Sequence, residues 1–267
     1  MCTIIQKHAI TGLVNISTAN PFLDGRPGAY GTVLTSPGTC NGTNINGVTI
    51  KATGSTTQGM VRLFITTTGG PIQLIKEITI PANTTTSVVP PFQVTVNEPI
   101  ILDPGQILLA STQNPESFNV FANGTNWVNC NCTDESTCNT ETTVYNSGMA
   151  LITNATITTV LTALPVAALA NGTRIPAIDI KGAQTGAIDQ CIISLYLNDT
   201  INDYLIWDVP IPGFTQSNVE PTYRTRCFTG INLQPSYSLR ASVNLANTAF
   251  NIFALGSDTT NCPCPVN

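Results

Sequence analysis

The sequence contains one stretch twice, and this internal repeat limits the folds that the chain can adopt. Residues 108–124 and 239–256 share residue types at eight positions, at an offset that changes only from 131 to 132. A correspondence of this length indicates two successive copies of one domain. The matched residues are Leu108, Ala110, Ser111, Phe118, Asn119, Phe121, Ala122 and Gly124 in the first copy, and Leu239, Ala241, Ser242, Phe250, Asn251, Phe253, Ala254 and Gly256 in the second.

The repeat also sets the expected domain organisation of the 267-residue chain. Each copy has an ordinary domain size. We predict a first β-sandwich with an N-terminal arm over residues 1–126 and a second β-sandwich over 143–257. A cysteine-rich linker, 127–142, is expected between them, and a cysteine-containing tail, 258–267, after them. The linker and tail clusters show no counterpart in the opposite copy, which predicts that they lie outside the repeated cores.

Apolar residues alternate with other residues in both copies, as in strands buried on one face. Turn residues recur about every 8–12 positions, and helical periodicity is rare. The predicted fold is all-β, with two tandem antiparallel β-sandwiches that are jelly-roll-like. The positions expected to be buried are Val61, Leu63 and Ile65, matched by Ile193, Leu195 and Leu197.

The composition bears on partners and location. Charged residues form 9% of the chain and apolar residues 42%, against roughly 25% charged in ordinary soluble proteins. Much of this neutral surface is therefore expected to be covered by copies of the chain or by a partner. The net charge of −5 argues against a nucleic-acid partner. We expect no membrane span and no signal peptide, hence assembly in a host cytoplasm.

The residues needed for common catalytic sites are missing. His8, near one end of the chain, is the only histidine, which disfavours a Ser-His-Asp set and excludes an H-E-x-x-H zinc site, and no phosphate loop occurs. Glu77 and Asp208 are matched single carboxylates, expected on solvated strand faces. We therefore predict no catalytic residues, no cofactor and no metal.

Cysteines are the most distinctive side chains outside the repeated cores. The C-x-C spacing fits zinc poorly, which favours cross-links or solvent-shielded thiols. Each cross-link is worth roughly 2–4 kcal/mol, and we expect at least one to be oxidised. Nine cysteines leave at least one unpaired within the chain. Cys191 is expected to be a small buried apolar residue. The candidate cross-linking residues are Cys2, Cys130, Cys132, Cys138, Cys262 and Cys264.

Two further segments have candidate roles. The acidic loop with Asn198, Asp199, Asn202 and Asp203 offers oxygen ligands for calcium, but the first copy is neutral there, which favours a loop without calcium.

The N-terminal segment is β-prone and is expected to be free to add a strand to a neighbouring subunit, with Cys2 able to reach that neighbour. The candidate intersubunit strand consists of Thr3, Ile4, Ile5 and Gln6.

The first copy resembles a known family across residues 12–127. This is a small structural β-domain encoded near structural genes of tailed bacteriophages and prophages. The second copy keeps fewer of the characteristic residues and lacks the Gly-Met-Val-Arg string. The resemblance lies in Ile50-Lys51-Ala52-Thr53-Gly54, in Thr56-Thr57-Gln58-Gly59-Met60-Val61-Arg62-Leu63-Phe64-Ile65, and in Ala110-Ser111-Thr112-Gln113-Asn114 with Glu116, Phe118, Asn119 and Val120.

The resemblance implies a non-enzymatic virion protein, in the first place a capsid decoration or cement protein. Its partners would be copies of itself and a major capsid protein. One alternative is a subunit of an extracellular filament or surface layer that is cross-linked by disulfides. A weaker alternative is a phage tail receptor-binding module, for which an aromatic content of 6% is low.

Overall fold

The computed structural model describes residues 2–22, 28–38, 42–132, 142–163, 170–183, 186–216, 223–227, 230–246 and 248–260. Every regular element in these ranges is a β-strand. Nothing in them forms a helix that could cross a membrane. The described residues divide into two compact units, 2–84 with 91–132 and 85–90 with 142–260.

The first unit contains nine strands: β1 (Cys2–Ile16), β2 (Gly31–Thr35), β3 (Gly42–Ala52), β4 (Gly59–Thr67), β5 (Gln73–Ile80), β6 (Gln93–Val96), β7 (Ile100–Leu102), β8 (Gln106–Thr112) and β9 (Phe118–Cys132). One antiparallel sheet has the order β1-β9-β3-β6, and β7 also pairs with β3. The other has the order β2-β8-β4-β5. Because β6 and β7 follow each other along β3, they act as one interrupted strand.

The second unit contains eleven strands: β10 (Thr142–Ile152), β11 (Thr158–Thr162), β12 (Ala170–Gly182), β13 (Gly186–Ile188), β14 (Cys191–Asn198), β15 (Asp203–Ile211), β16 (Phe214–Gln216), β17 (Arg224–Cys227), β18 (Ile231–Leu233), β19 (Ser238–Val243) and β20 (Phe250–Thr260). Its sheets have the orders β10-β20-β12-β17 and β11-β19-β14-β15. Strand β18 also pairs with β12, and β13 pairs with β16 as a small separate ribbon.

The same topology occurs in both units. If each interrupted strand is counted once and the β13–β16 ribbon is left out, each unit has eight strands in the orders 1-8-3-6 and 2-7-4-5. This is the strand order of a jelly roll, a double-sheet sandwich built from two Greek keys. The prediction of an all-β chain with tandem jelly-roll-like sandwiches is confirmed.

The predicted core positions also agree with the structure, because the alternating residues of β4 and β14 face the interior. Five of the six predicted residues are fully buried, and Ile65 is half-buried. A register shift interrupts the first copy between Leu63 and Phe64, and another lies between Leu195 and Tyr196 in the second. Both copies therefore keep the same local irregularity of the hairpin.

The strand ends differ from the predicted domain boundaries. Strand β9 continues through Cys132, so the linker predicted over residues 127–142 begins too early. Strand β20 continues to Thr260, past the predicted end of the second sandwich. Main-chain hydrogen bonds do not require an apolar sequence pattern. The strands can therefore continue beyond the residues whose apolar pattern marks the repeat. Cys130 and Cys132 therefore lie in a strand, whereas Cys138, Cys262 and Cys264 lie outside the described residues.

The N-terminal segment is not a free arm. Thr3, Ile4, Ile5 and Gln6 form part of β1, whose partner along these positions is β9. The expectation of an unpaired segment is wrong because the long last strand of the same unit supplies its hydrogen-bonding partner. Within the described residues, β1 is the first strand in its sheet order, so its opposite edge has no paired strand there. Strand addition along that edge stays a prediction.

Candidate interaction surface

The acidic loop of the second unit is held together by its own donors. Asp199 accepts hydrogen bonds from the amides of Ile201 and Asn202 at 2.9 and 2.7 Å, and from the Tyr204 hydroxyl at 3.2 Å. Desolvation alone would raise the pKa of the Asp199 carboxyl, but the amide and hydroxyl donors lower it below its ordinary value. The Arg240 guanidinium lies 2.8 Å from both carboxylate oxygens of Asp203.

These donors occupy the carboxylate oxygens that a calcium ion would need. The described residues contain no group of three or more histidine, cysteine or acidic side chains placed to hold a metal ion. The loop is therefore best explained as a turn in which nearby protein donors satisfy the carboxylates of Asp199 and Asp203.

The two matched carboxylates lie in different environments. The Arg62 Nε donates to Glu77 Oε1 at 2.9 Å, and Glu77 keeps 41% of its side-chain exposure. At the equivalent pair of the second copy, the Ser194 hydroxyl donates to Asp208 at 2.6 Å, and Asp208 is only 8% exposed. The expected solvated face is found for Glu77 and is wrong for Asp208, whose shorter side chain bonds within the sheet.

Two cysteines have described side chains. Cys191 is 1% exposed, and burial raises the pKa of its thiol to about 11, so it is a buried apolar residue as predicted. Burial also raises the pKa of the half-buried Cys227 thiol, and the nearby Asp179 adds to this effect. Thiols held protonated in this way are poor nucleophiles.

The largest sheet of the second unit has an outer face with exposed apolar side chains. Met149, Phe253, Asp179 and Arg226 form one row across the sheet, because each lies directly opposite the next on neighbouring strands. Side chains in such a row point to the same side. Met149 is 68% exposed and Phe253 is 39% exposed.

A parallel row lies two residues away. It consists of Leu151, Asn251, Lys181 and Arg224, with Leu151 55% exposed. The two rows together are called the outer face of the second unit. Its half on β10 and β20 is mainly apolar, and its half on β12 and β17 is charged. Sequence reasoning missed this face because alternation identifies residues on the same side of a strand, not the side that remains exposed.

The charged half is organised around one carboxylate. Arg226 donates to both Asp179 oxygens at 2.5 and 2.7 Å, and Arg224 donates to Oδ2 at 2.8 Å. Arg224 and Arg226 therefore both bind Asp179, and Lys181 adds a third cation to this half, which gives it a net charge of +2 in a chain whose net charge is −5.

Asp179 is expected to make stability depend on pH. The Arg226 hydrogen bonds, helped by Arg224, lower the pKa of its carboxyl from 3.8 to about 2, although desolvation acts in the opposite direction. A lowered folded-state pKa gives stability that is present above pH 3.8 and lost as pH falls towards 2. Asp179→Asn should therefore melt below the wild type at pH 6, and most of the difference should be lost when the pH is lowered to 2. A difference that is the same at both pH values in calorimetry would contradict this assignment.

The matched face of the first unit is better covered, and the one charged residue in its two matched rows, Lys51, is buried. Leu13, Phe121, Thr49 and Thr95 form the row that corresponds to Met149, Phe253, Asp179 and Arg226. Phe121 is 4% exposed, and the Thr49 and Thr95 hydroxyls lie 2.9 Å apart. Of the two matched faces, the second unit has the exposed apolar residues and the ion cluster.

Comparisons with known proteins give only distant structural similarities. No protein-family model and no curated protein sequence matches the chain. One similar structure, described by the triple jelly-roll fold and turret assembly of an archaeal virus, has a TM-score of 0.29 and 14% identity over 95% of this chain. This chain spans 60% of the length of that viral protein.

Two other solved structures are similar over most of both chains. The CBM22 tandem domain of Paenibacillus barcinonensis Xyn10C has a TM-score of 0.25 and 8% identity, over 96% of this chain and 93% of that one. The major capsid protein of bacteriophage PM2 has a TM-score of 0.23 and 10% identity, over 94% and 98%. TM-scores this low identify neither a family nor a function.

Proposed function

We propose that this chain is a non-enzymatic structural protein of a virion, and that it decorates or cements a bacteriophage capsid. Its partners are then copies of itself and a major capsid protein, with no nucleic acid and no membrane involved. The observation that carries the proposal is the outer face of the second unit. The phage-domain resemblance of the first copy supports the same assignment.

The apolar half of this face favours contact with another protein. Met149, Leu151 and Phe253 are neighbours on two paired strands and are 68%, 55% and 39% exposed. Adjacent apolar residues of this kind mark interaction sites more often than scattered ones do. Burial contributes up to about 1.5–3 kcal/mol for a fully exposed side chain of this kind, so these three residues favour a contact in proportion to their exposed fractions.

The charged half favours an acidic partner. Its net charge of +2 lies beside the apolar residues, whereas the whole chain has a net charge of −5. An acidic surface, including that of another copy of this chain, would be attracted to it, and salt would weaken the attraction. Self-association and binding to an acidic capsid surface are both compatible with this charge pattern.

Introducing negative charge on the apolar half should disrupt association. We expect the double variant Met149→Glu/Leu151→Glu to lose at least about 100-fold in affinity for its own copies or for purified particles, because two apolar contacts are replaced by buried charge. Ile201→Glu is the matched control, since Ile201 is 83% exposed in the turn between β14 and β15. Sedimentation velocity and co-sedimentation provide the measurements. Unchanged association of the double variant would reject this face as the interface.

The identity of the assembly requires imaging of the native material. Gold-labelled antibodies against the chain should decorate icosahedral heads in electron micrographs. Labelled fibres or sheets would instead support the filament or surface-layer alternative. If the antibodies label no particle and the purified chain stays monomeric at low salt, both assignments are contradicted.

A further inference from the structure

Two cysteines lie directly opposite each other in the longest strand pair of the first unit. Strands β1 and β9 are paired from Ile16 and Phe118 to Cys2 and Cys132. Opposite residues of an antiparallel pair have Cα atoms about 4.5 or 5.5 Å apart, depending on the hydrogen-bonding position. Disulfides join Cα atoms that are about 4.4–6.8 Å apart. Either kind of position therefore suits a bridge between Cys2 and Cys132.

The register distinguishes Cys132 from the nearby Cys130. Cys130 lies opposite Ile4, so its relation to Cys2 is diagonal. Diagonal neighbours have Cα atoms about 7–8 Å apart, which is beyond the usual disulfide range. The backbone placement therefore selects Cys132 as the partner of Cys2.

A bridge at this position would close the least supported end of the sheet. Strand β3 pairs with β9 only as far as Trp127, opposite Gly42. Among the described residues, the segments 2–6 and 128–132 consequently form a ribbon of two strands without a third. Such ribbons are marginally stable in water, and a covalent link at their end would hold the strands together.

The cysteines also follow the internal repeat, contrary to the expectation that they lack counterparts. Phe118 and Phe250 begin β9 and β20, and a cysteine occurs twelve and fourteen residues after each. Gly12 and Gly148 occupy matched positions of β1 and β10, and a cysteine occurs ten residues before each. A set kept in both copies, where most residues have changed, indicates a shared structural role. The matched pairs are Cys2 and Cys138, Cys130 and Cys262, and Cys132 and Cys264.

We infer that Cys2 and Cys132 form an intrachain disulfide that closes the β1–β9 ribbon. Formation of the S–S bond removes two protons and two electrons from the two thiols. A small-molecule disulfide such as oxidised glutathione accepts them in two exchange steps and is released as two thiols. The inference rests on the strand register and does not depend on the proposed function.

Peptide mapping of the full-length protein tests the pairing. The protein is equilibrated with oxidised glutathione, free thiols are alkylated under denaturing conditions, and the digest is analysed by mass spectrometry. We expect the Cys2 peptide to be linked to the Cys132 peptide in the wild type and in Cys130→Ser. The link should be absent from Cys132→Ser, where Cys2 should be alkylated. Cys130→Ser is a matched control, since it removes a thiol from the same strand.

Hydrogen exchange supplies a second readout that requires no substitution. Reduction of the wild type should speed amide exchange in residues 3–6 and 128–131 by at least about tenfold, and should leave residues 10–16 unchanged. Three results would overturn the inference: an alkylated Cys2 in the oxidised wild type, a link that is lost in Cys130→Ser, or a link between chains that appears as a covalent dimer on a non-reducing gel.

Discussion

Gly12→Ala and Gly148→Ala should each destabilise their own unit by about 3 kcal/mol or more. A Cβ at Gly12 would lie well inside van der Waals contact of the Val33 carbonyl oxygen and 2.8 Å from the Leu34 Cβ. A Cβ at Gly148 would overlap the Val160 carbonyl oxygen in the same way. In both units the first strand passes close to the backbone of the second, and glycine permits this approach. The obstacle is backbone, so a rotamer change cannot relieve it.

Differential scanning calorimetry is the measurement for these two variants. The expected loss corresponds to a fall in the melting temperature of roughly 10 °C for a unit of this size. Gly54→Ala is the control in the first unit, because a Cβ there would meet no atom within 4 Å. It should change stability by less than about 0.5 kcal/mol. Melting of Gly12→Ala and Gly148→Ala at the wild-type temperature would show that the strands separate without cost.

The sequence predicts the fold class well because alternation and turn spacing reflect burial directly. Residues such as Leu63 and Leu195 must be apolar wherever the two sheets pack, so their pattern survives in both copies. The extension of β9 to Cys132 is not predictable in this way, because main-chain hydrogen bonds do not depend on side-chain type. The internal pairing of Thr3 to Gln6 was missed for the same reason.

The candidate interaction surface depends on long-range placement, and the sequence does not contain that information in a local form. Asp179, Arg224 and Phe253 are far apart in sequence and become neighbours only through the register of β12, β17 and β20. Side-chain alternation along a strand places Met149 and Leu151 on one side of β10, but it does not predict whether that side is covered by other residues. Exposure is decided by the other strands and loops of the unit.

Lys51 and Lys181 occupy equivalent positions of the two copies, so the sequence predicts that their substitution has the same effect on stability. The structure predicts different effects. Lys51 is 1% exposed and its Nζ donates to the Pro91 carbonyl oxygen at 3.0 Å, whereas the equivalent Lys181 is exposed. Lys51→Ala should cost about 3 kcal/mol, because it leaves a cavity and removes that donor. Lys181→Ala should cost less than about 0.5 kcal/mol. Lys51→Met keeps the packed stem and should recover most of the loss. Equal melting temperatures for the two alanine variants would show that burial does not distinguish the two lysines.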